Sequence, residues 1–515
     1  MKKISRAEAL READAYTINH LKVPGLLLME CAAGKVVERL KTLASKKDDI
    51  LVLCGTGNNA GDGFACARML KSEGYQVRVF FLGSRDKLKD DAKVNFDMLS
   101  GYQVSVLSMD QASAFSQLAK ETEWVVDALF GIGLNREVKG MVAQTIEKVN
   151  ELHDAGKLKV LAIDVPSGID ANTGKVFGCA VKADETVTFS RMKPGLLLYP
   201  GREYAGNVTV ENIGIPEYVP SLSDCREFQL EDADLRKMIP QRASRSHKGL
   251  YGRLFLAAGS ETMMGACVFA GEAAYRVGTG LVQACVPEQA KSVLMMELPE
   301  AVTMPYDEEG PFDFLEDALQ NVSACVAGPG LSKKLYAGNL LKAILTYLPK
   351  YTPLLLDADA LNLIAEEEEL KALVRDRGGN TVLTPHMGEA SRLSKMPIAE
   401  IMANPVGYAE MIGNEYNAVV VLKDAVTIVR SLDGRLFYNS TGNNGMSTAG
   451  SGDVLSGMIG GLLAEGMKPF EAACCGVYAH GKAGDFAREE RGAYSMTASD
   501  ILSHIHMEKI IGGSV

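Results

Sequence analysis

The run Ile50-Leu51-Val52-Leu53-Cys54-Gly55-Thr56-Gly57-Asn58-Asn59-Ala60-Gly61-Asp62-Gly63 decides the fold class: an unbroken apolar stretch turns through small residues straight into a segment carrying Phe64, Met69 and Leu70. A strand that is apolar at every position belongs in a sheet covered on both faces, which is the habit of parallel α/β folds. The turn behind it offers backbone amides and a helix start, and together these attract a phosphate. A Gly-x-Gly after a strand also fits a plain structural turn, so the neighbouring Asn and Asp residues carry the functional weight.

Outward from that run the same alternation continues. Val77 to Leu82, Trp124 to Leu129 and Val160 to Val165 read as strands, and Gly61 to Ser72 as a helix, which predicts a parallel sheet with helical cover. Two helices precede it. The first opens with Ser5-Arg6-Ala7-Glu8, the spacing of a capping box in which each end side chain satisfies a free amide of the other residue. The second places Leu28, Met29, Ala32, Ala33, Val36, Val37 and Leu40 on one face and leaves Lys35, Glu38, Arg39 and Lys41 for water.

Between Glu211 and Gly249 the periodicity breaks at Ile213-Gly214-Ile215-Pro216, Pro220 and the polar run Arg242 to Gly249, so domains of 1–223 and 224–515 are expected. The alternation then restarts with Leu254 to Ala257, a helix from Gly265 to Val277, Val282 to Val286, Ala324 to Ala327, Leu354 to Leu356 and Val382 to Thr384. Ala418 to Arg430 and Leu436 to Asn439 flank Asp433-Gly434, a dipeptide suited to a hairpin turn that adds antiparallel strands to this second α/β sheet.

A chain of 515 residues exceeds one ordinary core, which agrees with two domains. The 54 Lys and Arg against 65 Asp and Glu give a formal charge of -11, which opposes attraction to nucleic acid or anionic lipid and requires an anionic ligand to find local donors. The single Trp offers no stacking platform. No apolar run approaches the ~18 residues of a membrane span, and Met1 to Leu10 lacks the apolar core of a secretory leader. The 10 cysteines contain no Cys-x-x-Cys pair and read as buried thiols. A cytoplasmic protein with small-molecule partners, acting without nucleic acid or membrane and as a homo-oligomer, is the expectation.

Two more strand ends carry polar groups: Asp127, followed by Phe130-Gly131-Ile132-Gly133-Leu134-Asn135-Arg136-Glu137, and Asp164, followed by Val165-Pro166-Ser167-Gly168-Ile169-Asp170. Carboxyl ends of neighbouring parallel strands converge on one crevice. Asn59, Asp127 and Ser167 could there supply oxygen ligands to a hard cation while Asp164 stays free for proton transfer; the plainer alternative is that both aspartates cap the segments that follow. The motifs Gly-Asn-Asn-x-Gly-Asp-Gly, Asp-x-x-Phe-Gly-x-Gly and Asp-x-Pro-Ser-Gly-x-Asp, in this order over roughly residues 1–220, resemble the NAD(P)H-hydrate epimerase family. The resemblance implies a Rossmann-like doubly wound domain with potassium held by Asn59, Asp127 and Ser167. It also implies the hydrate's pyrophosphate near Asn58, Asn59, Ala60, Gly61 and Asp62 and near Gly131 to Glu137, with Asp164 at the reacting nicotinamide. Lys193, in Lys193-Pro194-Gly195, is a second acid/base candidate, set against the commoner solvated loop lysine. Ala60 departs from the family's usual Gly.

The strongest signal in the chain is Asn443-Asn444-Gly445-Met446-Ser447-Thr448-Ala449-Gly450-Ser451-Gly452-Asp453 ahead of the helical Val454 to Leu463. Small residues let successive amides point at an anion, and a carboxylate beside such a cup can take a hydroxyl proton as a phosphoryl group arrives. Asp453 is the candidate base; an ordinary helix cap by Ser451 or Asp453 is the alternative. Loops after apolar strands bring Gly328-Pro329-Gly330, Asp357-Ala358-Asp359, Thr384-Pro385-His386-Met387-Gly388-Glu389 and Lys423-Asp424-Ala425-Val426-Thr427 towards the same crevice. Glu389 could hold magnesium through water, and Lys423 with Thr427 could meet nucleotide phosphates or ribose.

With His247-Lys248-Gly249-x-x-Gly252 and Ala257-Ala258-Gly259-Ser260, these motifs resemble the ADP- or ATP-dependent NAD(P)H-hydrate dehydratase family over about residues 225–510. The resemblance implies a ribokinase-like α/β fold. Nucleotide with magnesium would lie at Lys423, Asp424, Ala425, Val426 and Thr427 and at Asn443, Ser447, Thr448, Ala449, Gly450, Ser451 and Gly452, and the hydrate at Gly265, Gly330, His386 and Asp453. Met387 stands where the family has Pro, and Ala449 where it has Gly. The competing expectation is a ribokinase-like small-molecule kinase fused to a non-catalytic Rossmann-like ligand-binding module. The sequence leaves open ADP against ATP, and the NADH hydrate against the NADPH hydrate.

Overall fold

The structure is a computed structural model that describes residues 1–108, 115 and 118–512. The chain divides into two compact units, residues 3–225 and residues 226–515, the latter grouped with Met1 and Lys2.

In the first unit the opening run does what its composition dictates. Asp49–Cys54 is a strand in a seven-stranded parallel sheet, and Asn58–Ser72 is the helix that follows. The strands lie in the order Ser105–Ser108, Gln76–Phe81, Asp49–Cys54, Trp124–Ala128, Lys159–Ile163, Glu185–Phe189 and Asn207–Glu211. Leu51 and Leu53 enter the core on one face of the sheet; Ile50, Val52 and Cys54 enter the core on the other. Helix Gly140–Asp154 covers the first face through Ile146, Val149 and Leu152. Helix Gly25–Lys41 covers the second, burying Leu28, Met29, Ala32, Ala33, Val36, Val37 and Leu40 as its spacing predicts. Each large aliphatic side chain so buried contributes roughly 1.5–3 kcal/mol. The order reverses between Asp49–Cys54 and Trp124–Ala128, which opens a crevice at their carboxyl ends.

The first helix departs from expectation. It spans Ala7–Asn19, its cap position is Arg6, and no local side chain caps it. The Asn172 carboxamide oxygen accepts the Ala7 amide instead, at 2.8 Å, and the Ser5 hydroxyl accepts from Arg191. A distant residue has displaced the local capping box.

In the second unit, strands Arg253–Ala257, Leu281–Pro287 and Val302–Tyr306 run outward in one direction. Ala324–Ala327, Leu354–Leu356, Thr381–Leu383 and Val419–Leu422 run outward in the other, all parallel. The expected strand from Ala418 to Arg430 is in fact split, because Lys423–Thr427 turns the chain and Ile428–Arg430 returns antiparallel. Ile428–Arg430 then pairs with Leu436–Tyr438 across Asp433-Gly434, with Gly434 at φ 94°, the left-handed backbone that such a turn asks of glycine. Helices Met264–Val277, Ser451–Ala464 and Pro469–Arg491 supply much of the core on this sheet. The cysteines form no disulfide among the described residues. Among the described residues no helix is long and apolar enough to cross a membrane.

Candidate active sites

The crevice of the first unit is a cavity of about 570 Å³. Asn58, Asn59 and Asp62 line it from the first turns of helix Asn58–Ser72, Gly131 to Arg136 from the loop after Trp124–Ala128, and Asp164 and Lys193 from beyond the strand ends that follow. Ala60 and Gly61 are buried behind this wall. Ala60 lies within the helix, so its methyl group meets no demand for left-handed backbone. Glu137 is outside the lining and pairs with Lys139 at 2.8 Å.

The candidate cation ligands come together. The Asn59 carboxamide nitrogen donates to the Phe130 carbonyl at 3.0 Å and to the Ile163 carbonyl at 3.3 Å. The Ser167 hydroxyl donates to Asp127 Oδ1 at 2.6 Å and accepts the Phe130 amide at 2.8 Å. Asp127 Oδ2 accepts the Ser167 amide at 2.7 Å. Asp127 therefore does cap the following segments, and its carboxylate, the Ser167 hydroxyl and the Phe130 carbonyl bring together oxygen donors that fit a hard cation, with the Asn59 carboxamide joined to them through its nitrogen. Burial pushes the Asp127 carboxyl up to about 6, against the pull of the Ser167 hydrogen bonds. Among the described residues no group of three or more His, Cys, Asp and Glu is placed to hold a metal, so any cation here would depend on the single Asp127 carboxylate together with amide, hydroxyl and carbonyl oxygens.

Asp164 sits at φ 68°, an uncommon backbone for a residue with a Cβ. Its Oδ1 accepts Lys193 Nζ at 2.6 Å and the Phe189 amide at 3.2 Å. Lys193 is only 1% exposed, and burial lowers its pKa while Asp164 opposes that shift. Asp62 is pushed well above the usual carboxylate range by burial and then by Asp164 and Asp14.

In the second unit the strand ends meet around a buried ion pair. Lys423 Nζ lies 2.8 Å from Asp357 Oδ1 and 4.0 Å from Glu389 Oε2. The Ser456 hydroxyl donates to Asp357 Oδ2 at 2.6 Å. Burial works against both charges; Lys423 nevertheless holds Asp357 below its ordinary value, and Asp357 with Glu389 holds Lys423 above its own. Gly452 opens onto this pair, since a Cβ there would stand 3.6 Å from Lys423 Nζ. One residue on, Asp453 is pushed up to about 6 by burial and by Asp357. Gly450, at φ 88°, delivers the chain into helix Ser451–Ala464.

The remaining predicted residues divide by environment. Gly330, at φ 61°, lies against helix Met264–Val277, where a Cβ would come 2.7 Å from the Met263 carbonyl; Gly265 stands in open space at the start of that helix. His386 caps helix Met387–Ser394, its Nδ1 accepting the Gly388 amide at 2.9 Å while Glu389 accepts the His386 amide. Met387 thus occupies the first helical position, which any residue tolerates as well as Pro. Burial and then Lys423 lower the His386 pKa, and burial raises Glu389 to about 7. Thr427 closes its turn on the Asp424 carbonyl at 3.2 Å; Asp424 and Ala425 are exposed and Val426 is buried. Asn443 is committed to the fold, donating to the Gly484 carbonyl and to Asp485 and accepting the Gly445 amide. Ser447 and Ala449 are exposed and Thr448 half-buried, while Ser451 is buried 3.5 Å from His480 Nε2.

A protein of Moorella thermoacetica described as the bifunctional NAD(P)H-hydrate repair enzyme Nnr is 36% identical over 97% of this chain and 95% of its own length. The chain belongs to the bifunctional NAD(P)H-hydrate repair enzyme family. The Escherichia coli member is 34% identical, with 88% of this chain and 83% of that protein covered. Residues 254–507 match the family described as NAD(P)H-hydrate dehydratase, and residues 25–195 match the family described as YjeF-related protein N-terminus. Among solved structures, a ribokinase-like superfamily protein of Enterococcus faecalis is 28% identical, with 55% of this chain and 96% of that chain covered and a TM-score of 0.50. A Bacillus subtilis chain described as ADP/ATP-dependent NAD(P)H-hydrate dehydratase co-crystallized with ATP/Mg2+ is 29% identical, with 55% and 97% covered and a TM-score of 0.47.

The repair enzyme's first cavity also contains residues that sequence reasoning passed over. Leu10, Arg11, Asp14 and Ile18 line it from helix Ala7–Asn19, at the spacing of one helical face. Asp91 lines it from the helix after Gln76–Phe81, and burial together with Asp91 raises Asp14. In the second site the missed group is the Asp357–Ser456 contact, between residues far apart in the chain.

Proposed function

We propose that residues 1–223 are an NAD(P)H-hydrate epimerase domain and residues 224–515 an ADP- or ATP-dependent NAD(P)H-hydrate dehydratase domain, together returning both hydrates to NADH or NADPH. The supporting observation is that Asp453, at the start of helix Ser451–Ala464, lies within charge-interaction range of the Lys423–Asp357 pair. A carboxylate whose pKa lies near neutrality beside a cation and backbone donors suits proton removal from a hydroxyl during phosphoryl transfer.

In the dehydratase domain Asp453 takes the proton of the ring hydroxyl as its oxygen attacks the terminal phosphorus, and AMP leaves from ADP, or ADP from ATP. The carbon–oxygen bond then breaks with its electron pair departing on phosphate, the ring nitrogen lone pair fills the vacancy, and loss of the neighbouring ring proton restores dihydronicotinamide. Lys423 and the amides around Ser447 to Gly452 hold nucleotide phosphates, with Asp424 to Thr427 as the adjoining nucleotide turn. Glu389 would reach magnesium through water, and that ion when bound neutralises phosphate charge. Gly265, Gly330 and His386 border the hydrate, of which only the S form fits.

In the epimerase domain Asp164 receives the hydroxyl proton while the ring carbon–nitrogen bond opens, its electrons passing into the conjugated carboxamide. Rotation of the resulting aldehyde, reclosure on its other face and return of the proton invert the centre. Asn58, Asn59 and Asp62 and Gly131 to Arg136 border the pyrophosphate, with Ala60 and Gly61 packed behind them and Glu137 turned to Lys139. Asn59, Asp127 and Ser167 would hold potassium, whose charge when bound favours that anion.

The deciding experiment supplies a mixture of hydrates, ADP or ATP, and magnesium, and follows reduced-nicotinamide absorbance together with free phosphate. Equal release of both is expected. A stable phosphorylated product without recovered absorbance would establish a kinase instead.

A further inference from the structure

The Lys193 ammonium has no spare hydrogen. It donates to Asp164 Oδ1 at 2.6 Å, to the Thr188 hydroxyl at 2.7 Å and to the Phe189 carbonyl at 2.8 Å, which uses its full complement of N–H bonds. Thr188 in turn donates to Asp164 Oδ1 at 3.3 Å, and the Phe189 amide approaches the same oxygen at 3.2 Å. The three residues form a closed ring on one carboxylate oxygen. Oδ2 accepts no hydrogen bond among the described residues, although Asp164 lines the cavity.

The lysine is also held from behind. The Gly195 amide donates to the Ala171 carbonyl at 2.8 Å, and a Cβ on Gly195 would run into the Asp170 carbonyl. Lys193-Pro194-Gly195 is thereby locked against the loop that begins at Asp164. A freely rotating side chain could not keep one oxygen turned away; this lysine is 1% exposed and cannot rotate without leaving its acceptors unpaired in the interior.

We propose that Lys193 is a positioning residue which, with Thr188 and the Phe189 backbone, fixes Asp164 through Oδ1 and leaves Oδ2 alone to exchange a proton with the substrate. The proposal rests on the reading of residues 1–223 as an epimerase, and it replaces the acid/base role that the Lys-Pro-Gly motif suggests. A lysine that must break all its hydrogen bonds to reach substrate is a poor proton carrier; a charged clamp of known geometry is a good orienting group.

The test measures epimerisation by the full-length enzyme, with hydrate KM as the check that the cavity has folded. Lys193→Met should lower kcat about a hundredfold, the scale of a misplaced reacting group, with KM within about threefold. An unchanged kcat, or a loss expressed in KM, overturns the clamp. Lys193→Arg keeps the charge and the donors but gives up no proton at accessible pH, so kcat should return to within about tenfold of the native value. If that variant binds hydrate normally yet stays as slow as Lys193→Met, lysine is the proton carrier and the proposal fails. If arginine disrupts binding, Thr188→Val decides: loss of one hydrogen bond should lower kcat about threefold to tenfold at constant KM, and native kcat rejects the ring. Asp164→Ala separates the two claims, because full activity there would sink the epimerase assignment of Asp164, whereas an inactive Asp164→Ala beside a native-like Lys193→Met would sink the clamp alone.

Discussion

Asp453 carries an electrostatic cost. Its carboxyl is pushed to about 6 by burial and by Asp357, so the folded chain resists ionising it. The folded state therefore holds more protons than the unfolded chain between the ordinary carboxylate value and about 6, and stability falls as pH rises through that window. Asp453→Asn removes the charge and should stabilise the protein at pH above 7 by about 1–2 kcal/mol, with no gain below pH 4, read from denaturant midpoints at the two pH values. The same substitution should cut dehydration at least about a hundredfold while epimerisation continues at the native rate. A dehydratase that kept its rate would mean that another group takes the proton. Native dehydration should fall off on the acid side with a midpoint about 6. Asp357→Asn removes the nearby negative charge that raises Asp453, so in whatever activity remains this midpoint should move to lower pH; an upward or absent shift would contradict the assignment. Asp453 was legible in the sequence because glycine spacing and a carboxylate stand together in one segment. Asp357 was legible only as one of several polar groups on a crevice loop, and Asp14 not at all, since their significance comes from Lys423 and from Asp91, partners supplied only by folding.

Helix Ser451–Ala464 shows why two glycines in one element should answer differently to the same methyl group. A Cβ on Gly457 would run into the Ala270 carbonyl of the neighbouring helix, rigid backbone that cannot yield. Gly457→Ala should therefore cost about 1–3 kcal/mol and displace the helix start that carries Asp453, lowering dehydration and sparing epimerisation. A Cβ on Gly452 would meet Lys423 Nζ at 3.6 Å and Asp357 Oδ2 at 3.9 Å, ordinary contact distances. Gly452→Ala should leave the denaturation midpoint unchanged or slightly raised and increase nucleotide KM about tenfold or more, because the methyl occupies the space between amides and lysine. Denaturation midpoints and nucleotide titrations on the pair would check this, and equal effects would refute it. Asp49–Cys54, Trp124–Ala128, Lys159–Ile163, Arg253–Ala257 and Ala324–Ala327 could be read because unbroken apolar runs have one stable use, the middle of a covered sheet, whereas Glu185–Phe189, whose apolar positions are broken by two threonines, was missed. Ser105–Ser108, Asn207–Glu211 and Val302–Tyr306 escaped because they lie at sheet edges or outer positions, where half-exposed, mixed sequences carry a weak signal. The capping box at Ser5 failed for a related reason: a local motif offers one partner, and Asn172 offered a better one from elsewhere in the fold.

At the scale of the whole chain, the parallel part of each sheet reverses strand order, and each places its candidate acid or base at the carboxyl end of a strand or the helix beyond the reversal. A net charge of -11 gives neither crevice a general attraction for a dinucleotide, so recognition falls to local donors such as the loop amides and Lys423. Pairing the two activities then has a kinetic consequence that requires no contact between the units. If only one hydrate epimer fits the dehydratase, the other reaches it only after inversion. Asp164→Ala leaves the second unit intact and should convert a smooth progress curve into two phases: one epimer consumed at the native dehydration rate, the remainder at the spontaneous rate of inversion. Adding a catalytic amount of Asp453→Asn enzyme, which retains the first site, should merge the phases again, because the freed epimer diffuses between molecules. A single phase in Asp164→Ala enzyme would mean that the dehydratase accepts both epimers or that inversion occurs without Asp164, and separate assays on the purified epimers would tell which.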